Sequence, residues 1–190
     1  MRIMYASMTI GFALATMGAH LAQAQSVADQ LRPLVESSAH RLAIAEQVAL
    51  SKWDSGAAVE DVPRETQVIS SAVESAEAKG LDPASASKFF KAQIEANKVV
   101  QYSLLADWRR AGAAPSHARV DLKGTIRPEL DRLQTELIAE LLETKTIRSA
   151  PTCSVDMATA VGRYRSTHSQ ETSKLIEIAL DVALSESCSN

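Results

Sequence analysis

The chain has 190 residues, 23 Asp and Glu against 20 Lys and Arg, and only 4% aromatic side chains. A net charge of −3 removes the electrostatic basis for nucleic-acid binding, and the length suits one domain with a real core. Plentiful Ala, Leu, Ser, Glu and Val, with 7 Gly and 6 Pro, point to an all-α fold.

Residues 1–24 lie outside that fold. Met1-Arg2 gives a positive start, an apolar run follows through Ile10 to Met17, and Ala22-Gln23-Ala24 fits a small-x-small cleavage pattern, the features of a secretory signal peptide. The mature domain is then 25–190. An uncleaved membrane anchor is the rival reading, but the apolar run is short for a span. Loss of Arg2 leaves 19 basic residues against 23 acidic ones, a net charge of −4. The mature chain shows no membrane-spanning segment.

A first helix is expected from Ser26 to Lys52 or Trp53, ended by Asp54-Ser55-Gly56. A second starts near Asp61, with Pro63 in its first turn, and stops at Lys79-Gly80. Asp82-Pro83 is an N-cap followed by proline, opening a long third helix to about Arg110. Residues 111–120 read as a loop. The fourth helix spans Pro128 to Lys145, with a start as early as Asp121 left open. After a break at 149–153, two shorter helices cover 155–167 and 169–187. The expectation is one bundle of about six helices, three of them long, without internal repeats.

Cys153 and Cys188 are the only cysteines. An even pair in an exported chain reads as a disulfide. It would close the final helical pair at its outer ends, a loop of about 35 residues worth a few kcal/mol in chain entropy. Two cysteines without a neighbouring His pair do not make a metal site.

Several inner faces carry polar groups. The apolar stripe of the first helix runs Leu31, Leu34, Val35, Ser38, Leu42, Ala45, Val48 and Ala49. Arg41 and Lys52 fall on its edge, eleven residues or about three turns apart, roughly 16 Å along the axis. A buried cation is costly without an anion. In the third helix, Asn97 and Gln101 interrupt the stripe of Phe90, Ile94, Leu104, Leu105 and Trp108. Asp61, Arg64, Glu65 and Val68 share one side of the second helix. Arg64 opposes the dipole in a first turn, whereas Glu65 there is ordinary. Arg127 is in register with Leu130, Leu137 and Leu141, but precedes Pro128, where helical geometry is disfavoured; Arg132 is its rival. Each feature alone has an ordinary explanation, such as snorkelling cations or satisfied core amides. Four segments carrying such groups together, mostly positive, resist it.

Arg41, Lys52, then Asp61-x-x-Arg64-Glu65, then Asn97-x-x-x-Gln101-Tyr102 and Asp107-Trp108, resemble the all-helical chorismate mutases. The leading signal and the late cysteine pair resemble the exported, periplasmic subclass. The resemblance implies an isomerase that converts chorismate to prephenate by an intramolecular Claisen-type rearrangement, with no cofactor and no metal. Catalysis would be restraint of the reactive conformer plus stabilisation of charge developing on the ether oxygen. By the same resemblance, Arg41 and Arg127 would each hold a substrate carboxylate, and Lys52 and Gln101 would donate to the ether oxygen. Glu65, with main chain near Asp61, would accept from the ring hydroxyl. Arg64 would orient Glu65, and Asn97 would support a carboxylate contact. A homodimer with each site within one chain is implied.

Two other readings share these residues. One is a non-catalytic periplasmic helical module that binds a small dicarboxylate or a partner helix. The other is a structural bundle with the cations paired internally to Glu36, Glu46 or Glu74.

Overall fold

The computed structural model describes residues 25–169 and 173–189. Those residues form α1 (Val27–Ser55), α2 (Val62–Glu77), α3 (Pro83–Ala111), a π-helical turn (Leu122–Ile126), α4 (Arg127–Glu143), the single turn α5 (Lys145–Arg148), α6 (Cys153–Thr167) and α7 (Lys174–Leu184). The all-α expectation holds. The signal peptide expected over 1–24 lies outside the described residues.

Local chemistry sets the boundaries. Ser26, Asp61, Asp82 and Ser173 each cap a helix by accepting a backbone N–H with the side chain, which satisfies one of the orphan donors of the first turn. The Ser173 cap explains why α7 begins at Lys174, later than expected. α1 ends where Gly56 takes φ 69°, a left-handed conformation that glycine enters without a Cβ penalty.

The start of α4 falls one residue before the expected Pro128, by a path the sequence does not announce. Asp121 accepts from the N–H groups of Lys123 and Gly124, and the chain then winds through a π turn into Arg127. Arg127 is helical (φ −64°, ψ −46°) although proline follows. Its N–H bonds to Leu122 O across the wide turn. Pro128, in the first turn of α4, has no N–H to leave unpaired.

α1 is the central element, packed on α3, α4, α6 and α7, while α2 lies on α3 and α4. The main core gathers Leu31, Leu34 and Leu42 of α1 with Phe89, Phe90, Leu137, Leu141 and Leu180. Phe89 and Phe90 meet edge to face at 5.3 Å. Each such fully buried side chain is worth about 1.5–3 kcal/mol. A smaller cluster of Ala49, Leu50, Val59, Leu105 and Trp108, joined by Trp53, closes the far end. Gln93 ties α3 to Ser38 Oγ at 2.9 Å and to the Ala183 carbonyl at 3.1 Å.

The C-terminal pair is stapled as the sequence suggests. Cys153 opens α6, Cys188 follows α7, and they form a disulfide with a Cα–Cα distance of 5.9 Å. Buried Arg148 reinforces it, donating to the Ser187 carbonyl at 2.9 Å and the Leu141 carbonyl at 3.4 Å. These carbonyls lie at or near the C-terminal ends of α7 and α4, where a cation is favoured.

Candidate active site

α1, α2, α3 and the π turn leading into α4 enclose a cavity of about 300 Å³. Arg41, Lys52, Asp61, Arg64, Glu65, Asn97, Gln101 and Arg127 all line it. Arg132 does not. It is exposed on α4, donating to Glu129 at 2.6 Å and also to Glu136.

Arg41 is 5% exposed. One terminal nitrogen donates to the Leu130 carbonyl at 3.3 Å, and its Nε is buried without a partner. Burial pulls its pKa down to about 10, opposed by the charge of Asp131, so it remains a cation at neutral pH. An orphaned donor on a buried guanidinium is expensive unless something else supplies the acceptor.

Lys52, in the last turn of α1, donates to the carbonyls of Ala58 (2.6 Å) and Val59. Those carbonyls belong to the loop that turns α1 into α2. Burial lowers the Lys52 pKa, while Asp61 and Glu65 act against that shift. Neither Arg41 nor Lys52 is paired with Glu36, Glu46 or Glu74. Glu36 instead meets Arg32 at 3.6 Å on the surface.

The first turn of α2 is a reciprocal cap. Asp61 Oδ1 accepts from Arg64 N–H at 3.2 Å, and Glu65 Oε1 accepts from Asp61 N–H at 3.0 Å, so two orphan donors are satisfied. Arg64 turns its guanidinium to Gln67 at 3.0 Å. On α3, Asn97 donates to the Arg41 main-chain carbonyl at 3.1 Å, and Gln101 Nε2 donates to Asn97 Oδ1 at 2.6 Å. The Gln101 amide carries a second N–H. The Arg127 side chain has no hydrogen bond or ion pair among the described residues, its backbone N–H being the one that closes the π turn.

Lys98, Asp131 and Gln134 also line the cavity, and sequence reasoning missed them. Lys98 sits three residues after Glu95, the spacing of an ordinary surface ion pair on a helix, which hides its reach to Glu65 at 3.1 Å. Gln134 is one turn beyond Leu130, but nothing in the pattern singles it out. The Ala58 and Val59 carbonyls leave no trace in side-chain pattern.

Charge separates this cavity from the rest of the molecule. Arg41, Lys52, Arg64, Lys98 and Arg127 stand against Asp61, Glu65 and Asp131, a surplus of two positive charges in a chain whose net charge is −3. Forked guanidiniums suit carboxylates. The fold and cavity thus define a helical receptor for a small dianion, walled on its apolar side by Val48, Val68 and Ile94.

Comparison with known proteins gives that receptor a family. Residues 32–102 match the chorismate mutase type II family. The chain is 34% identical to the secreted chorismate mutase of Mycolicibacterium smegmatis over 149 residues, 78% of this chain and 81% of that protein. With the secreted chorismate mutase of Mycobacterium tuberculosis it shares 30% identity, over 76% of this chain and 71% of the relative. Its structure is similar to the crystal structure of chorismate mutase from Burkholderia phymatum, with a TM-score of 0.83 at 43% identity, covering 87% of this chain and 100% of that one. This chain belongs to the chorismate mutase family.

Proposed function

We propose that this cavity converts chorismate to prephenate, with Lys52 and Gln101 acting on the breaking ether bond and Arg41 and Arg127 holding the two carboxylates. The reaction is an isomerisation within one molecule. It needs no nucleophile and no proton shuttle, and its barrier falls when the reactive conformer is held and developing charge is met by fixed donors.

The observation that carries this reading is the surplus of two positive charges lining the cavity, matched to a dianion. Arg41 comes from the middle of α1 and Arg127 from the start of α4, so two separate elements each bring a guanidinium to the cavity, one for each carboxylate. The unpartnered Nε of Arg41 is a donor awaiting one of them. Lys52 and the free N–H of Gln101 donate to the ether oxygen, where negative charge grows as the C–O bond breaks. Glu65, held by the Asp61 N–H at 3.0 Å, takes the ring hydroxyl, its carboxylate accepting a hydrogen bond from it. Asn97 is engaged with Arg41 O and Gln101, so its part is to set the Gln101 amide.

The protein is secreted or periplasmic, as its relatives' names, its resemblance to the exported subclass and its disulfide indicate. No helix among the described residues is long and apolar enough to cross a membrane. Residues 1–24 are proposed as the export signal and 25–190 as the catalytic domain. A homodimer is proposed on family grounds, with each site built by one chain; light scattering on the purified domain tests it.

Incubating the purified mature chain with chorismate and following prephenate tests the function. Prephenate formed at a rate proportional to enzyme supports it. Binding without turnover would leave a dicarboxylate receptor, and no binding a structural bundle.

A further inference from the structure

Lys98 has no part in the rearrangement as derived above, yet its ammonium reaches the cavity. The side chain is 12% exposed and bridges Glu65 Oε2 at 3.1 Å and Glu95 Oε1 at 2.7 Å. The other Glu65 oxygen accepts from Asp61 N–H at 3.0 Å. Both oxygens of Glu65 are therefore held, one by each partner.

Lys52 shares this cavity and is attracted by Glu65 and Asp61. Its ammonium nevertheless rests on the Ala58 and Val59 carbonyls. Opposite charges attract more strongly where water is partly excluded, so a restraint on either one keeps them apart. A direct Lys52–Glu65 salt bridge would take the ammonium from the ether oxygen and the carboxylate from the ring hydroxyl in a single collapse.

We propose that Lys98 is a positioning residue, the counter-cation that holds Glu65 against Asp61 and keeps it from collapsing onto Lys52. This inference rests on the chorismate reading of the same cavity. Lys98 also pairs with Glu95, three residues earlier on α3, so its own position is fixed before it meets Glu65. An arginine at this position keeps the charge, whereas methionine keeps the stem and removes it.

The test measures kcat and KM for Lys98→Met and Lys98→Arg, in the parent and in a Glu65→Gln background. Lys98→Met is expected to lower kcat about tenfold, a coupling typical of residues in one polar network, and Lys98→Arg to recover most of that loss. In the Glu65→Gln background, Lys98→Met should add less than about twofold, because the carboxylate it restrains is gone. Parental kcat in Lys98→Met, or an equal loss in both backgrounds, would overturn the proposal; the second result would make Lys98 a direct substrate contact or a structural residue. If Lys98→Met does not fold by circular dichroism, Lys98→Gln takes its place, and misfolding of both counts against a positioning role. A parent chain that forms no prephenate sinks the chorismate reading, whereas a turning-over parent matched by Lys98→Met sinks this inference alone.

Discussion

Gln101 donates to Asn97 Oδ1 at 2.6 Å, and Asn97 donates in turn to the main-chain carbonyl of Arg41 at 3.1 Å. The chain of bonds fixes which way the Gln101 amide faces, because Asn97 can present its oxygen to Gln101 only while its nitrogen serves the carbonyl. Gln101 has Nε2 as its bonded end and one N–H left over. Its Oε1 is buried without a partner, so the amide is held by one bond rather than by a full complement.

A neutral amide donates at any ordinary pH, so turnover should stay flat from mildly acidic to mildly alkaline conditions. Gln101→Glu should behave differently, since a glutamate donates only when protonated. Its kcat should be highest in acid and fall as pH rises through the carboxyl pKa. A steep loss of parental turnover approaching neutrality would count against Gln101 as donor.

The alkaline limit should belong to Lys52. Burial lowers its pKa from the ordinary 10.5, and in the proposed role the ammonium is the active form. Activity should therefore decline on the alkaline side at a lower pH than an ordinary lysine would give. A pH–rate profile that stays level beyond pH 10.5 would contradict this.

Arg127 and Arg132 are distinguished by position. Arg127→Ala should lower kcat/KM about tenfold to a hundredfold, the scale of one lost charge-assisted hydrogen bond. Arg132→Ala, which opens an exposed pair with Glu129 and Glu136, should leave kcat/KM unchanged. Steady-state kinetics of both variants decides the matter, and the reverse ranking would move the second carboxylate to Arg132.

Much of this site could be read from the sequence because it rests on helix periodicity. Arg41 and Lys52 are three turns apart on one helix, and Asn97 and Gln101 one turn apart on another, so their shared faces follow from spacing. Asp61 and Glu65 announce a helix start. What spacing cannot supply is which faces meet or how a helix is entered, and the Arg127–Arg132 ambiguity arose at the entry, because Pro128 disfavours helical geometry in the residue before it. The π turn at 122–126 rotates the entry of α4, and no side-chain pattern encodes that extra width. Lys98 was hidden for the opposite reason: its nearest acid in sequence, Glu95, offers a complete and ordinary partner.

Glu140 bears on stability rather than catalysis. Burial raises its pKa, with Ser37 donating at 2.7 Å as a partial offset, and Glu136, Glu143 and Glu36 adding like charge. A carboxyl with a raised folded-state pKa favours the folded state most below its unfolded pKa, and that contribution is lost as pH rises through the folded pKa. Glu140→Gln should therefore raise the Tm at pH 7 and change it little at pH 4. Thermal melts at the two pH values check this; a lower Tm at pH 7 would refute it.

Reducing the Cys153–Cys188 bond should lower stability by about 3–4 kcal/mol, the chain-entropy value for a loop of this length. The cavity lies between other helices, so the Cys153→Ser, Cys188→Ser protein should keep its kcat below its lowered Tm. Chemical denaturation and turnover of that double variant test the two statements separately.

The central claim is that Lys52 stabilises charge appearing only as the ether bond breaks. It is tested by kcat and KM for Lys52→Ala beside the parent, with circular dichroism to show that both are folded. The account predicts a kcat lower by about 10²–10³-fold, the cost of losing one preorganised donor to a developing oxyanion. A folded Lys52→Ala protein with near-parental kcat would contradict it.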